Sequence, residues 1–283
     1  MIALLNSPFS YDTNNYCAKK LNATILEGNY ETTEDYQTVI CFNPQDILRI
    51  NSHNVNIKYA ITNFSPLDGW EKYQFFAALE IATKIYVPSE YTKDSLLSFL
   101  LVELGEYEAS KFNEKIVETG MPIRGGLVVP SERFASICFV DNGNSQHKLL
   151  FTLFKSLFDQ YNFSLITENK ENLTDLNIDE TWKSEFDRNF VTSNKAHIWE
   201  SKYIISFDEQ CHWDQDIVEA CLTGCTPLVP NSGCFPELLE NDARCLYEDL
   251  EDLITKIKSG VTVPEKELRN YADTYTQTPE RWK

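Results

Sequence analysis

Acidic side chains, one histidine and a glycine-containing loop follow two successive apolar runs in the segment 203–238. The first run, KYIISF, has the composition of a buried strand. The loop after it holds five side chains able to act as acids, bases or ligands: Asp208, Glu209, His212, Asp214 and Asp216. A helix is predicted to begin near Asp214, where acidic side chains complement the helix dipole, and to end at Gly224, a residue suited to a left-handed C-cap. Glu219 lies within this otherwise apolar helix, where an unpaired carboxylate is expensive to bury.

A second loop follows the next predicted strand, TPLVP, and contains Gly233 and Cys234 before another helix begins. Parallel strands present their carboxyl ends at one edge of a sheet, and open α/β sheets bind ligands at that edge. An acidic loop and a glycine-containing loop at the ends of neighbouring strands therefore predict a binding site in this part of the chain.

The elements that would position these loops alternate along the whole chain. Apolar runs of four to seven residues are separated by amphipathic helical stretches, which is the pattern of parallel sheets covered on both faces. The aromatic-rich stretch YQFFAALEIA (73–82) is predicted to lie in the core, and the glycine- and proline-containing segment 120–134 interrupts the alternation. The fold prediction is a pair of Rossmann-like doubly wound domains, 1–125 and 126–265, facing each other across a cleft. The tail, 266–283, is predicted to pack back on them.

Composition and charge exclude several classes of protein. The chain has 283 residues, of which 42% are hydrophobic and 13% aromatic, so it is neither disordered nor low in complexity. No apolar run reaches the roughly 20 residues needed to cross a bilayer, and no basic flank precedes the first apolar stretch, so we expect a cytoplasmic protein. The balance of 43 acidic against 25 basic residues gives a net charge of −18, which argues against non-specific binding of DNA or RNA. The eight cysteines include no C-x-x-C pair and are expected to be reduced and mostly buried.

The segment EACLTGCTPLV from Glu219, followed by G-x-x-P-E from Gly233, resembles the nucleotide-sugar-binding half of retaining GT-B glycosyltransferases of the family 4 type. The resemblance implies that Glu219 hydrogen-bonds the ribose of the nucleotide. An earlier glutamate of the family contacts the donor sugar, and its position here is occupied by Cys211. Glu209 is the nearest acid and becomes the candidate for the sugar contact. Gly233 and Cys234 are implied to bind the donor through the G-x-x-P-E element.

A segment that begins FVDNGNSQHK is similar to the strand, turn and helix in which that family uses an arginine and a lysine to neutralise the donor diphosphate. Breaking the bond between a sugar and a nucleoside diphosphate places growing negative charge on phosphate, which fixed cations and helix N-termini stabilise. The resemblance implies that Lys148 steadies the diphosphate. Asn142 and Gly143 stand where the arginine is expected, and His147 or Arg124 is the candidate replacement.

A third resemblance implies an acceptor side in the first half of the chain. Family members often carry a proline-x-aspartate-glycine element, then a helix, then a strand that ends in V-P-S-E-x-x-K/R. Asp68 and Gly69 match the first part, and the run VPSEYTK matches the second, with Ser89 suited to cap the following helix. The loop after the family's first strand also faces the acceptor, and its equivalent here, NSPFSYDT, contains Ser7.

Together these resemblances predict a glycosyltransferase, retaining and independent of metal, that uses a UDP- or GDP-linked sugar as co-substrate and needs no other cofactor. The acceptor stays open between a saccharide and a small molecule. A third option, a hydroxymethylated base in phage DNA, comes from the compact length, which resembles that of phage-encoded members. The alternatives are a catalytically degenerate GT-B module that binds a nucleotide or saccharide, and an enzyme of different chemistry on the same fold, such as an epimerase.

Each candidate also has a purely structural interpretation. Glu219 would be a surface carboxylate, Lys148 a solvated helix residue, Asp68 part of a turn, and Ser89 a helix cap alone.

A zinc site and two nucleotide-binding motifs are disfavoured by spacing. His212, Cys221 and Cys225 lie near one another in the sequence, but the two cysteines fall on one helix and its end, and no second close pair accompanies them. The glycine-rich signatures G-x-G-x-x-G and G-x-x-x-x-G-K-[ST] are both missing, which argues against a dinucleotide oxidoreductase or a P-loop enzyme.

Overall fold

Every strand pair described in this computed structural model is parallel, and the strands form one six-stranded sheet in each of two units. Unit 1 comprises 1–125 and 274–283, and unit 2 comprises 126–273. The segment predicted as a tail is thus divided between the two units. The structure describes residues 1–8, 11–28, 33, 35–50, 55–62, 64, 69–123, 127, 129–130, 133–140, 152–153, 155–157, 160–166, 191–192 and 196–282.

Unit 1 begins as an alternation of strands and helices. Its elements to residue 118 are β1 (Ile2–Leu5), α1 (Tyr11–Leu21), β2 (Ala23–Leu26), β3 (Thr38–Cys41), α2 (Pro44–Arg49), β4 (Asn56–Ala60), α3 (Gly69–Ile81), β5 (Lys84–Val87), α4 (Glu90–Leu104), α5 (Glu106–Asn113) and β6 (Ile116–Glu118). The sheet order is β2-β1-β3-β4-β5-β6. The chain leaves β1 on one side to form β2 and returns on the other side to form β3, so the topological switch point lies between β1 and β3.

Unit 2 has the strand order of a Rossmann domain. Its elements are β7 (Phe134–Val140), β8 (Asn162–Ile166), β9 (Val191–Thr192), α6 (Ala196–Glu200), β10 (Ser201–Ile205), α7 (Gln215–Thr223), β11 (Thr226–Pro230), α8 (Phe235–Leu238), β12 (Leu246–Tyr247), α9 (Leu250–Ser259) and most of α10 (Glu265–Thr276). The order β12-β11-β10-β7-β8-β9 places the switch point between β7 and β10.

Apolar side chains that alternate along the strands form the core of each unit. In unit 1, Val39, Ile57 and Ile85 are buried and lie on neighbouring strands. In unit 2, Ile137 and Leu228 are buried in the same way. Apolar runs on these strands are buried because helices cover both faces of a parallel sheet. All eight cysteines are free and buried.

The prediction that 73–82 lies in the core is wrong for Tyr73, Glu80 and Ile81, which are exposed. Phe75 and Leu79 of α3 are buried, whereas Tyr73 is 65% exposed and the preceding Trp70 is 73% exposed. A helix that packs on a sheet buries one face only, and residues 70 and 73, which are three apart, share the opposite face. Within the described residues, no helix is long and apolar enough to cross a membrane.

The short helix α11 (Thr278–Arg281) and the residue after it, Trp282, complete unit 1. The indole of Trp282 is fully buried, stacks on Tyr86 with ring centroids 5.8 Å apart and planes 3° apart, and packs against Phe42. Its Nε1 donates to Thr119 Oγ1 at 3.0 Å, and its carbonyl accepts from Lys58 Nζ at 2.8 Å. Burial lowers the pKa of Lys58. A segment distant in sequence is therefore part of the core of unit 1.

We expect Trp282→Ala to destabilise unit 1 by about 3–5 kcal/mol, because a large buried aromatic is lost and the Thr119 hydroxyl loses its donor. Trp70→Ala removes the same side chain from an exposed site and is expected to change the free energy of unfolding by about 0.5 kcal/mol or less. Native-state hydrogen exchange followed by mass spectrometry tests this, since it resolves the units. Faster exchange should appear in the peptides of β4 to β6. Equal protection in the two variants would contradict the anchoring role of Trp282.

Candidate functional site

The carboxyl edge of the unit 2 sheet is built by the loops that follow β10, β11 and β12. The loop after β10 begins at the switch point, where doubly wound sheets bind ligands. Its backbone is held locally, because Ser206 Oγ accepts from the amide of Asp208 at 3.3 Å and Asp208 Oδ1 accepts from the amide of Gln210 at 3.1 Å. The hydroxyl of Tyr247, the last residue of β12, donates to the carbonyl of Ser206 at 2.7 Å. These bonds fix the backbone on either side of Glu209, whose side chain is exposed.

A close backbone approach joins this loop to the one after β11. The amide of Cys234 donates to the carbonyl of Cys211 at 2.9 Å. Gly233 has φ +62°, and a Cβ atom there would lie 2.8 Å from the same carbonyl oxygen. A side chain at this position would therefore force the loops apart. The neighbouring Cys234 thiol and burial raise the pKa of Cys211. Gly233 and the amide of Cys234 thus keep the two loops in contact at the carboxyl edge of the sheet.

A cavity of about 390 Å³ opens at this edge, in the size range of small-molecule sites. It is lined by Phe207, Glu209, Pro230, Asn231, Ser232, Tyr247, Glu248, Asp249 and Leu250. Two lining side chains are held in place: Asn231 Nδ2 donates to Glu248 Oε1 at 2.7 Å, and Asp249 Oδ1 accepts from the amide of Asp252 as the N-cap of α9. Ser232 Oγ is buried and has no hydrogen-bond partner among the described residues. The cavity lining therefore combines apolar side chains with hydrogen-bonding ones.

Sequence reasoning found Glu209 in this cavity and missed Tyr247, Glu248 and Asp249. Burial and the nearby charge of Glu209 raise the pKa of Tyr247. A usable signal was present, because Tyr247 ends the apolar run RCLY and two acids follow it directly. The family motifs stop before this point.

Glu219 lies one turn inside α7 and is not part of the cavity lining. Its side chain is 7% exposed, and Oε1 accepts from Gln215 Nε2 at 2.9 Å, one turn earlier on the same helix face. The helix ends as the sequence predicts, at Gly224 with φ +82°. Glu219 is therefore a buried carboxylate, which disagrees with the interpretation as a surface residue.

Asp214 is the N-cap of α7 and is buried. Its Oδ1 accepts from the amides of Asp216 and Ile217 at 2.9 and 3.1 Å. Burial and the charge of Asp216 raise the pKa of Asp214 to about 7, despite these two hydrogen bonds. Burial also lowers the pKa of His212 in the same loop. Among the described parts of the chain, no group of three histidine, cysteine or acidic side chains is arranged to hold a metal ion.

At the switch point of unit 1, Asn6 joins the end of β1 to its neighbours. Asn6 has φ +48°, its Nδ2 donates to Asp46 Oδ2 at 3.0 Å, and its Oδ1 accepts from the amide of Gly28 at 2.8 Å. Ser7 follows, and its buried Oγ has no hydrogen-bond partner in the described structure. Asp46, in the first turn of α2, is itself buried. Sequence reasoning included Asn6 in the 6–13 loop and singled out Ser7, but missed Asp46, which no motif marked.

Two other acceptor-side candidates lie at helix starts. Ser89 caps α4, since its Oγ accepts from the amide of Thr92 at 3.1 Å, and it is buried. Gly69 opens α3 with φ +53°. The aromatic rings of Trp70 and Tyr73 follow, exposed and with centroids 6.5 Å apart. Because α3 comes after β4, this aromatic pair lies near the carboxyl edge of the unit 1 sheet.

Several candidates lie outside the described residues: Asp68, Arg124, Asn142, Gly143, His147 and Lys148. Their roles stay predictions.

No protein-family model matches the sequence, and no curated protein sequence matches it. Solved structures share its fold. The chain is similar to the pneumococcal O-GlcNAc transferase GtfA in complex with UDP and GlcNAc, with a TM-score of 0.62 and 10% identity over 87% of this chain and 55% of GtfA. It is also similar to AviGT4, a glycosyltransferase involved in avilamycin A biosynthesis, with a TM-score of 0.54 and 10% identity over 99% of this chain and 95% of AviGT4. A third similar structure is T4 phage BGT in complex with its UDP-glucose substrate, with a TM-score of 0.54 and 11% identity over 99% of this chain and 96% of BGT.

These neighbours have the GT-B fold, and the predicted fold class is confirmed. The chain spans little more than half the length of GtfA. The identities of 10 and 11% establish the fold alone.

The raised pKa of Asp214 predicts a pH-dependent stability. The folded pKa of about 7 exceeds the unfolded value of about 3.9, so this contribution to stability is complete below pH 4 and is lost as pH rises through 7. An asparagine at this position is a neutral cap of equal quality and would show no such loss. We expect the unfolding free energy of Asp214→Asn, relative to the native protein, to rise by about 2–4 kcal/mol between pH 5 and pH 8 in urea titrations. Asp249→Asn, at an exposed cap, is the matched control, and equal profiles for both variants would contradict the prediction.

Proposed function

We propose that the protein is a glycosyltransferase that moves a sugar from a UDP-sugar to an acceptor hydroxyl, and that unit 2 binds the donor. The observation that carries this proposal is the cavity at the carboxyl edge of β10 to β12, beside the switch point of a Rossmann-type sheet. Two proteins of the same fold were solved with UDP and GlcNAc and with UDP-glucose. In this chain, unit 2 offers a cavity of small-molecule size at the corresponding edge of its sheet.

The donor roles follow from the resemblance to family 4 members. Glu219, buried on α7, binds the ribose hydroxyls, and Glu209 contacts the sugar from the cavity lining. Lys148, with Asn142, Gly143 and His147, takes the diphosphate, which needs positive charge that the described residues of the lining do not supply. Gly233 and Cys234 hold the loop that forms the cavity wall.

The reaction itself is a substitution at the anomeric carbon. The bond between this carbon and the diphosphate oxygen breaks, and UDP leaves with the electron pair. The acceptor oxygen forms the new bond and gives up its proton. Retention of configuration and independence from metal belong to the proposal through the resemblance to family 4 members.

Unit 1 is the proposed acceptor side. Its switch point carries Asn6, Ser7 and Asp46, groups that can hydrogen-bond a hydroxylated ligand. Gly69 and Ser89 lie at the starts of helices that follow strands of the same sheet, and the 6–13 loop is assigned to the acceptor by resemblance. Asp68 is assigned here by motif alone. The exposed rings of Trp70 and Tyr73 suit the flat apolar face of a sugar. A net charge of −18 disfavours duplex DNA, so we propose a saccharide acceptor.

Glu219→Gln should weaken UDP binding about tenfold, because a hydrogen bond to a charged group is lost while the side-chain volume is kept. The melting temperature should not change. Titration calorimetry with UDP and with 2′,3′-dideoxy-UDP tests the assignment, since the dideoxy nucleotide lacks the proposed partner and should bind both proteins equally. Glu240→Gln, on the exposed turn after α8, is the control. Unchanged UDP affinity in Glu219→Gln would exclude the ribose contact.

We expect Trp70→Ala to reduce acceptor-stimulated release of UDP from UDP-glucose about tenfold across a panel of saccharides, because aromatic stacking is lost. Hydrolysis of the donor by water should be unaffected, since unit 2 is intact. Tyr73→Ala is expected to act in the same direction. Tyr107→Ala removes another exposed tyrosine, on α5, and is the control. Full saccharide stimulation in the Trp70 variant would overturn the aromatic acceptor site.

A further inference from the structure

Three carboxylates line the unit 2 cavity, and none of the described residues in its lining is basic. Resting on the donor site proposed above, we infer that this cavity holds the sugar of the donor and accepts neutral or amino sugars while rejecting sugars that carry a carboxylate. The inference concerns which UDP-sugar the protein uses.

The negative charges are held at the cavity by local structure. Glu248 is oriented by the 2.7 Å bond from Asn231, and Asp249 by its role as the cap of α9. Glu209 is close enough to Tyr247 for its charge to raise the pKa of the phenol. Two of the three carboxylates are therefore held at the cavity by hydrogen bonds.

Two cations in the neighbouring segments are paired with other acids. Lys256 lies 3.5 Å from Asp252, and Arg244 lies 2.7 Å from Asp242 and 2.5 Å from Glu267. The described residues that line the cavity therefore carry a negative formal charge. A sugar carboxylate would meet like charge at close range, whereas an ammonium would be attracted.

The rest of the lining suits a neutral sugar. Phe207, Tyr247 and Leu250 offer apolar surface for the C–H face of a pyranose ring. Carboxylate oxygens accept hydrogen bonds from sugar hydroxyls. Ser232 Oγ, buried without a partner in the described structure, would gain one from the same ligand.

The test compares UDP-glucose with UDP-glucuronate, which differ only at C6, by titration calorimetry on the full chain. We expect UDP-glucuronate to bind about tenfold more weakly at low salt, and the gap to narrow as salt is added. The double variant Glu248→Gln/Asp249→Asn should shrink this affinity ratio to about threefold or less. Both changes keep side-chain shape, the acceptor for Asn231 and the helix cap.

Glu251→Gln, an exposed acid on α9 outside the lining, is the matched control and should leave the ratio as in the native protein. Equal affinity for the two donors, or a ratio that the double variant does not change, overturns the inference while leaving the donor site standing. Failure to bind UDP or either UDP-sugar overturns the donor site, and the inference with it.

Discussion

The hydrogen bond from the Cys234 amide to the Cys211 carbonyl is the constraint on which the candidate site depends. It joins the loops after β10 and β11 so closely that only glycine fits at position 233. With the bond from Tyr247 to Ser206, it ties all three strand ends of this half of the sheet together. Backbone contacts thus set the walls of the cavity, and the side chains that line it determine what can bind.

The selectivity proposed above depends on carboxylates that stay at the cavity. A carboxylate on a mobile loop would rotate into solvent and lose most of its influence through screening. Glu248 and Asp249 are instead held by neighbouring amides. In unit 1, the side-chain amide of Asn6 holds the Asp46 carboxylate in the same way.

Much of the fold was predictable because local chemistry and tertiary structure agree. Apolar runs gave the parallel strands, and Ser89 and Gly224 cap their helices as their residue types suggest. The GT-B fold class followed from motifs of only a few residues.

Prediction failed where a residue's environment is made by distant partners. Tyr73 was assigned to the core because periodicity does not reveal which helix face meets the sheet, and Asp46 was missed because its partner, Asn6, is 40 positions away. The roles of Lys148 and Glu219 stay predictions, since motif resemblance alone assigns them.

The division of unit 1 between the two ends of the sequence also shapes how the protein is made. Residues 274–283, which bring Trp282 into the core of unit 1, leave the ribosome only after all of unit 2 has been synthesised. Although most of unit 1 is synthesised first, its core therefore cannot be completed until this late segment has emerged.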